Sequence, residues 1–367
     1  MLASLALFLP TKLKAQDSTS HKFTDLMIEI RAGFDVSWEK NNVYNRVSDA
    51  LISTSDTTTY GFNGHYFNLK LGGEFGKGFS YFFRQRIIAN KGTVSLFDNT
   101  DFLYLQYQFH PRWAVRVGKE ALAIGGYEYD APPIDVYYYT NFWGNVHCFQ
   151  LAGSLIYSDL QHKNQLTLQI ANSPYVYYNG DGNEWKQGLL AYSLMWHGNF
   201  NHFQTLYSIN LFERKRGDFI SYISLGNKLQ FGWWSWYVDY MNRAANVKKF
   251  FSDFTIVSRM DFSLKNVNLY LKGGYEQNFA ENNPFATVVR DPLMTPNASA
   301  FFYGLGVEYH PKGIQAVRLH AFVKNDHYTA VEPQITNKKF SVTGEIGITW
   351  NVDFLRYFSK KLNSTNN

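Results

Sequence analysis

Along residues 26–38 one face takes Leu26, Ile28, Ile30, Ala32, Phe34, Val36 and Trp38, and the other takes Met27, Glu29, Arg31, Gly33, Asp35 and Ser37. A period of two belongs to a β-strand. The second face carries charges that a dry core would not accept without partners. The stretch also exceeds the roughly 5–6 residues of ordinary strands, and meets the ~9–11 that a tilted strand needs to cross a bilayer. One face therefore suits hydrocarbon and the other water. A soluble sandwich alternates too, with its apolar face inward, so the rest of the chain has to decide.

The pattern recurs at 63–75, 79–89, 100–109, 113–121, 147–157, 164–172, 187–196, 201–212, 219–230, 234–241, 253–264, 267–276, 299–309, 315–324 and 339–354, which with the first stretch makes sixteen. Between the first two, residues 39–62 read as a loop. Tight turns at 76–78, 110–112, 265–266 and 310–313 all fall on one side, and the longer connections on the other. A sandwich gives no reason for that sorting. An even count also brings both chain ends to one rim. The last stretch completes an apolar face with Phe340, Val342, Ile346, Ile348, Trp350, Val352 and Phe354. The expectation is all-β: a transmembrane antiparallel β-barrel of about sixteen strands with long extracellular loops.

Composition agrees where it bears on this. The 31 Phe, 26 Tyr and 9 Trp suit aromatic girdles at two membrane interfaces. A net charge of +5 with no basic run longer than Arg214-Lys215-Arg216 gives no nucleic-acid partner. The single Cys148 excludes an intrachain disulfide and a Cys-based zinc site. GxSxG, HExxH and Walker patterns are missing, so no catalytic residue, metal or cofactor is expected. Residues 1–16, apolar up to Leu9, broken by Pro10 and ending at Leu13-Lys14-Ala15-Gln16, read as an export signal whose basic start lies upstream. Residues 17–367 then form a single barrel domain with a short tail at 355–367. Outside the leader no apolar run reaches 18 residues, so no transmembrane helix is expected.

Alternation assigns Arg31, Lys70, Arg84, Arg86, Arg116, Lys228, Arg259, Lys272, Arg318 and Lys324 to the lumen, against Glu29, Asp35, Glu74, Asp239, Asp261, Glu276, Glu308, Glu345 and Asp353. Such charges either sort ions or merely solubilise the wall. Arg84 and Arg86, with Arg116 nearby, are the best candidates for an anion track.

Residues 118–145, GKEALAIGGYEYDAPPIDVYYYTNFWGN, break the pattern, with neither a period of two nor of 3.6. A loop this long is usually functional. It either covers one rim or folds inward and narrows the lumen. Its Tyr137-Tyr138-Tyr139 run could stack on sugar rings or join an interfacial belt. Together with FQLAGSLIY after it, this segment resembles the third-loop region of the phosphate-selective porin O and P family, in its Bacteroidetes form. The resemblance implies a 16-stranded outer-membrane barrel of a Gram-negative bacterium, a homotrimer, with the third loop as its constriction. It does not imply phosphate, because the loop carries Glu120, Glu128, Asp130 and Asp135 against a lone Lys119. The expected function is passive diffusion of small hydrophilic solutes or ions across outer-membrane lipid, anions such as phosphate among the candidates, with weak selectivity. A non-conducting barrel with a structural or adhesive surface role is the second reading.

Overall fold

The structure, a computed structural model, describes residues 22–87, 97, 99–146, 148–175, 177–178, 184–185, 188–244, 250–279, 297–314 and 316–355. The expected leader and the tail beyond residue 355 lie outside them. Sixteen antiparallel strands close into one barrel, each paired with its chain neighbours and the first with the last. They are β1 (Lys22–Asn45), β2 (Leu51–Phe75), β3 (Phe79–Arg86), β4 (Thr100–His110), β5 (Trp113–Ala121), β6 (Phe149–Ser158), β7 (Asn164–Asn172) and β8 (Leu190–Phe200). The series continues with β9 (Phe203–Lys215), β10 (Asp218–Phe231), β11 (Trp234–Ala244), β12 (Asp253–Leu264), β13 (Val267–Asn278), β14 (Ala298–Tyr309), β15 (Val317–Val331) and β16 (Ile335–Asp353). Closure runs from Met27 opposite Asp353 to Asn45 opposite Ile335, so no edge is left for another chain to extend.

The outer wall is as the alternation requires. Leu103, Leu105, Val117, Leu168, Ile170, Ile209, Leu271, Leu305 and Ile346 stand exposed in rows, a surface suited to lipid or a neighbouring barrel and not to water. At the short-turn rim rings pack in pairs, Phe79 on Tyr107 at 4.3 Å and Trp113 on Tyr157 at 4.9 Å between centroids, the arrangement of an interfacial belt. Gly78 turns there with φ 85, a region open to glycine, and an added Cβ would fall 2.6 Å from the Gln108 carbonyl oxygen.

Three expectations change. Residues 39–62 are no loop: β1 and β2 continue in register, Lys40 opposite Asp56 and Asn42 opposite Thr54. The Thr and Ser of 53–59 keep strand propensity without an apolar face, because this hairpin rises beyond the hydrocarbon. The long third connection starts after Ala121, so Glu120 is a strand residue. Finally, Tyr137 and Tyr138 lie inside the barrel, buried against Tyr270, Phe302 and Phe322, and not at a membrane interface.

Candidate functional site: the third loop and the facing wall

Residues 122–146 leave β5 and lie inside the barrel. Two patches explain why an apolar loop stays there. Leu122, Ile124, Phe142 and Val146 pack on the inward-facing Ala171, Ala191, Phe212, Ile220, Tyr222 and Met241 of β7 to β11. Tyr137 and Tyr138 pack on Val257, Tyr270, Phe302 and Phe322 of β12 to β15. Burying each large side chain contributes about 1.5–3 kcal/mol. The Gly125-Gly126 pair sets how close the backbone comes. Gly125 donates its N–H to Ser208 Oγ at 2.8 Å and Gly126 to the Leu206 carbonyl at 3.1 Å. A Cβ on Gly125 would sit 2.5 Å from that same carbonyl oxygen.

Polar anchors fix the rest of the path. Tyr127–Asp130 form one helical turn, and the Glu128 N–H that opens it donates to Asp239 Oδ2 at 2.7 Å. Glu128 is buried, accepts from Thr140 Oγ1 at 2.6 Å, and pairs with Lys272 Nζ at 2.6 Å. Lys272 also donates to the Tyr138 carbonyl at 2.7 Å. Pro133–Asp135 make a 3-10 turn whose Asp135 meets Arg318 at 2.7 Å. Arg31 donates to the carbonyls of Ile134 and Val136 at 3.0 and 3.1 Å. At the helical turn Asn141–Asn145 the N–H groups of Asn141 and Phe142 donate to Glu276 at 2.6 and 3.3 Å. Three of the basic residues assigned to the lumen, Arg31, Lys272 and Arg318, thus hold the loop in place.

The remaining candidates line other parts of the wall. Arg259 pairs with Asp261 at 2.7 Å and lies over the Tyr270 ring. Lys70 pairs with Glu29 at 2.5 Å. Arg84 and Arg86 share Asp101, at 3.0 and 2.9 Å, and both lie over the Phe149 ring. Arg116 pairs with Glu120 at 3.0 Å and lies over Tyr104. Lys70, Arg84, Arg86 and Arg116 sit on β2, β3 and β5, across the lumen from β10 to β13, whereas the loop is tied to strands from β7 round to β15 and to β1.

Accessible charge differs between these two sides. On the first, the cation faces water and the acid hides behind it: side-chain exposure is 29% for Arg86 against 5% for Asp101, and 28% for Arg116 against 3% for Glu120. Facing them on β12 the order reverses, with Asp261 at 28% against Arg259 at 17%, and on β15 the loop's Asp135 is at 41% against Arg318 at 16%. Asp130 also reaches the lumen, yet the loss of water around it inside the barrel holds its carboxyl above the ordinary carboxylate range, with His197 and Lys228 pulling it back.

Sequence reasoning missed Asp101 and His65. Strict alternation turns both toward lipid, but β4 skips Asp101 between the pairs Arg84 with Phe102 and Gln85 with Thr100. In the same way β2 skips His65 between Arg31 with Tyr66 and Ala32 with Gly64. A bulge re-aims a side chain, and a charged residue at an apolar-parity position was the available signal. His65 there joins Asp35 and Glu345, bringing three potential metal-donor atoms within 4.8 Å of one another.

Comparison with known proteins agrees with this architecture. An anion-selective porin from Comamonas acidovorans superimposes with a TM-score of 0.58 at 9% identity, covering 90% of this chain and 100% of that one. The outer-membrane channel DcaP of Acinetobacter baumannii gives 0.54 at 11%, covering 87% and 96%. A loop-deleted OmpT of Vibrio cholerae gives 0.51 at 10%, covering 88% and 99%. At such identities the likeness is one of fold. A comparison with curated protein sequences finds no match. Residues 44–229 match the family model described as phosphate-selective porin O and P, half of the chain and the whole third loop with it. The chain belongs to that family of Gram-negative outer-membrane porins, and its barrel is a channel for passive diffusion.

Proposed function

We propose that solutes pass between the third loop and the wall of β2 to β5, and that this passage prefers small anions weakly, without a high-affinity phosphate site. The observation carrying the reading is the exposed Arg86 and Arg116 with their carboxylates buried behind them. Charges nearest the water weigh most on a passing ion. The loop's acids oppose them less than their number in the sequence suggests, since Glu128 is buried against Lys272. Tight capture of phosphate is disfavoured because Lys70, Arg84, Arg86 and Arg116 already have acidic partners. On the facing wall Asp261 is the more exposed member of its pair with Arg259, which supports a transverse field. We read the protein as a channel without a catalytic step and as a homotrimer in the membrane.

The reversal potential across a planar bilayer in a KCl gradient tests this. Wild-type channels are expected to favour chloride several-fold at most. Arg86→Ser/Arg116→Ser should remove the preference, and millimolar phosphate should leave chloride current flowing. Strong phosphate block, or a preference untouched by the double substitution, would refute the assignment. A trimer-sized band in native gels checks the assembly, and silent bilayers would favour the structural or adhesive alternative.

A further inference from the structure

Asp35 on β1 and Glu345 on β16 stand directly opposite each other at the seam where the barrel closes. Two carboxylates in cross-strand register repel, and such a pair persists where something positive lies between. The bulge in β2 supplies a neighbour of the right chemistry. It turns His65 so that Nε2 lies 3.2 Å from Asp35 Oδ1 and 3.5 Å from Glu345 Oε1. Donor atoms around a tetrahedral zinc ion, each about 2.0–2.1 Å from the metal, lie roughly 3.3 Å apart. The two separations bracket that value.

The surroundings hold these side chains in place. Asn63 Nδ2 donates to the second oxygen of Asp35 at 2.6 Å. His320, buried on β15, contacts Glu345 Oε1 through Nε2 at 2.7 Å. Two glycines opposite each other across the seam make the room: a Cβ on Gly33 would fall 2.8 Å from Glu345 Cγ, and one on Gly347 would fall 2.6 Å from His320 Nε2. Metal-binding carboxylates and imidazoles are commonly oriented by such outer hydrogen bonds.

We infer that Asp35, His65 and Glu345 bind a divalent transition-metal ion of the zinc class, with the remaining coordination position open to lumen water. One imidazole with two carboxylates suits such an ion better than magnesium or calcium, which favour all-oxygen sites. The ion would tie β1, β2 and β16 together at the seam and add positive charge to the wall there.

The test is calorimetric titration of ZnCl2 into the detergent-solubilised, full-length barrel, with the folded state of each variant checked by its heat-shifted mobility on SDS gels. Wild type is expected to bind one ion per chain. His65→Asn and Asp35→Asn should each weaken binding at least tenfold, and His320→Asn about 10–100-fold as an orienting partner. Saturating zinc should raise the unfolding temperature of wild type and leave His65→Asn unchanged, and MgCl2 should give neither effect. Absence of saturable zinc binding, binding equal in wild type and folded His65→Asn, or equal response to magnesium would each overturn the site.

Discussion

Replacing Lys272 with methionine tests how the third loop is held. The ammonium and Glu128 meet at 2.6 Å with side-chain exposures of 2% and 5%, so neither charge has water to fall back on. After Lys272→Met, Glu128 keeps its bonds from Thr140 and loses its counter-charge, and the Tyr138 carbonyl loses its donor. Breaking a buried pair from one side costs about 3–5 kcal/mol, which corresponds to a shift on the order of a thousandfold in a local equilibrium. Arg31, Arg318, Asp239 and Glu276 still hold other points of the loop. The centre should therefore leave the wall and enter the lumen transiently while the barrel stays intact. Single-channel recordings should show frequent brief closures that wild type lacks. Lys272→Met/Glu128→Leu, which removes both charges, should restore most of the quiet open level. If Lys272→Met records like wild type, the pair is not what fixes the loop, and if the double variant closes as often as the single, the burial argument is wrong.

Because the Asp130 carboxyl titrates above the ordinary carboxylate range, it loses its charge early on acidification. The permeability ratio should move toward anions on acidification, starting at a higher pH in wild type than in Asp130→Asn. Gly125→Ala places a methyl 2.5 Å from the Leu206 carbonyl oxygen, a clash worth about 1–3 kcal/mol that should lift the loop into the lumen and lower unitary conductance; an unchanged conductance would count against the close approach. Epitope tags near Asp56, high on the β1–β2 hairpin, should be labelled on intact cells, and tags at Asn266 should not.

The sixteen crossings were legible because each repeats a period of two for long enough to span a bilayer. The clearest boundary failure, at residues 39–62, came from reading apolar periodicity as the only mark of a strand. Beyond the hydrocarbon a hairpin needs no lipid face, so Ser53 to Thr59 carry only β-propensity and backbone pairing. The inward fold of the third loop was suggested by its length and by resemblance. Its route was not legible, since Arg31, Lys272, Arg318, Asp239 and Glu276 meet the loop from at least 90 positions away in the chain.

Counting charges misjudges a channel for the same reason. The four acids singled out around the loop carry equal formal charge and are not equal in the lumen. Glu120 lies behind Arg116, Glu128 is buried on Lys272, and Asp130 and Asp135 remain accessible. The two bulges act in the same direction, because each places a polar side chain in the lumen where alternation would put it in lipid. Asp101 at one bulge sits under two guanidiniums and steadies them, leaving Arg86 as the accessible charge of the trio. What an ion meets is thus set by which member of each pair stands nearer the water, and Arg86→Ser should alter selectivity more than Arg84→Ser, although the two are indistinguishable in sequence.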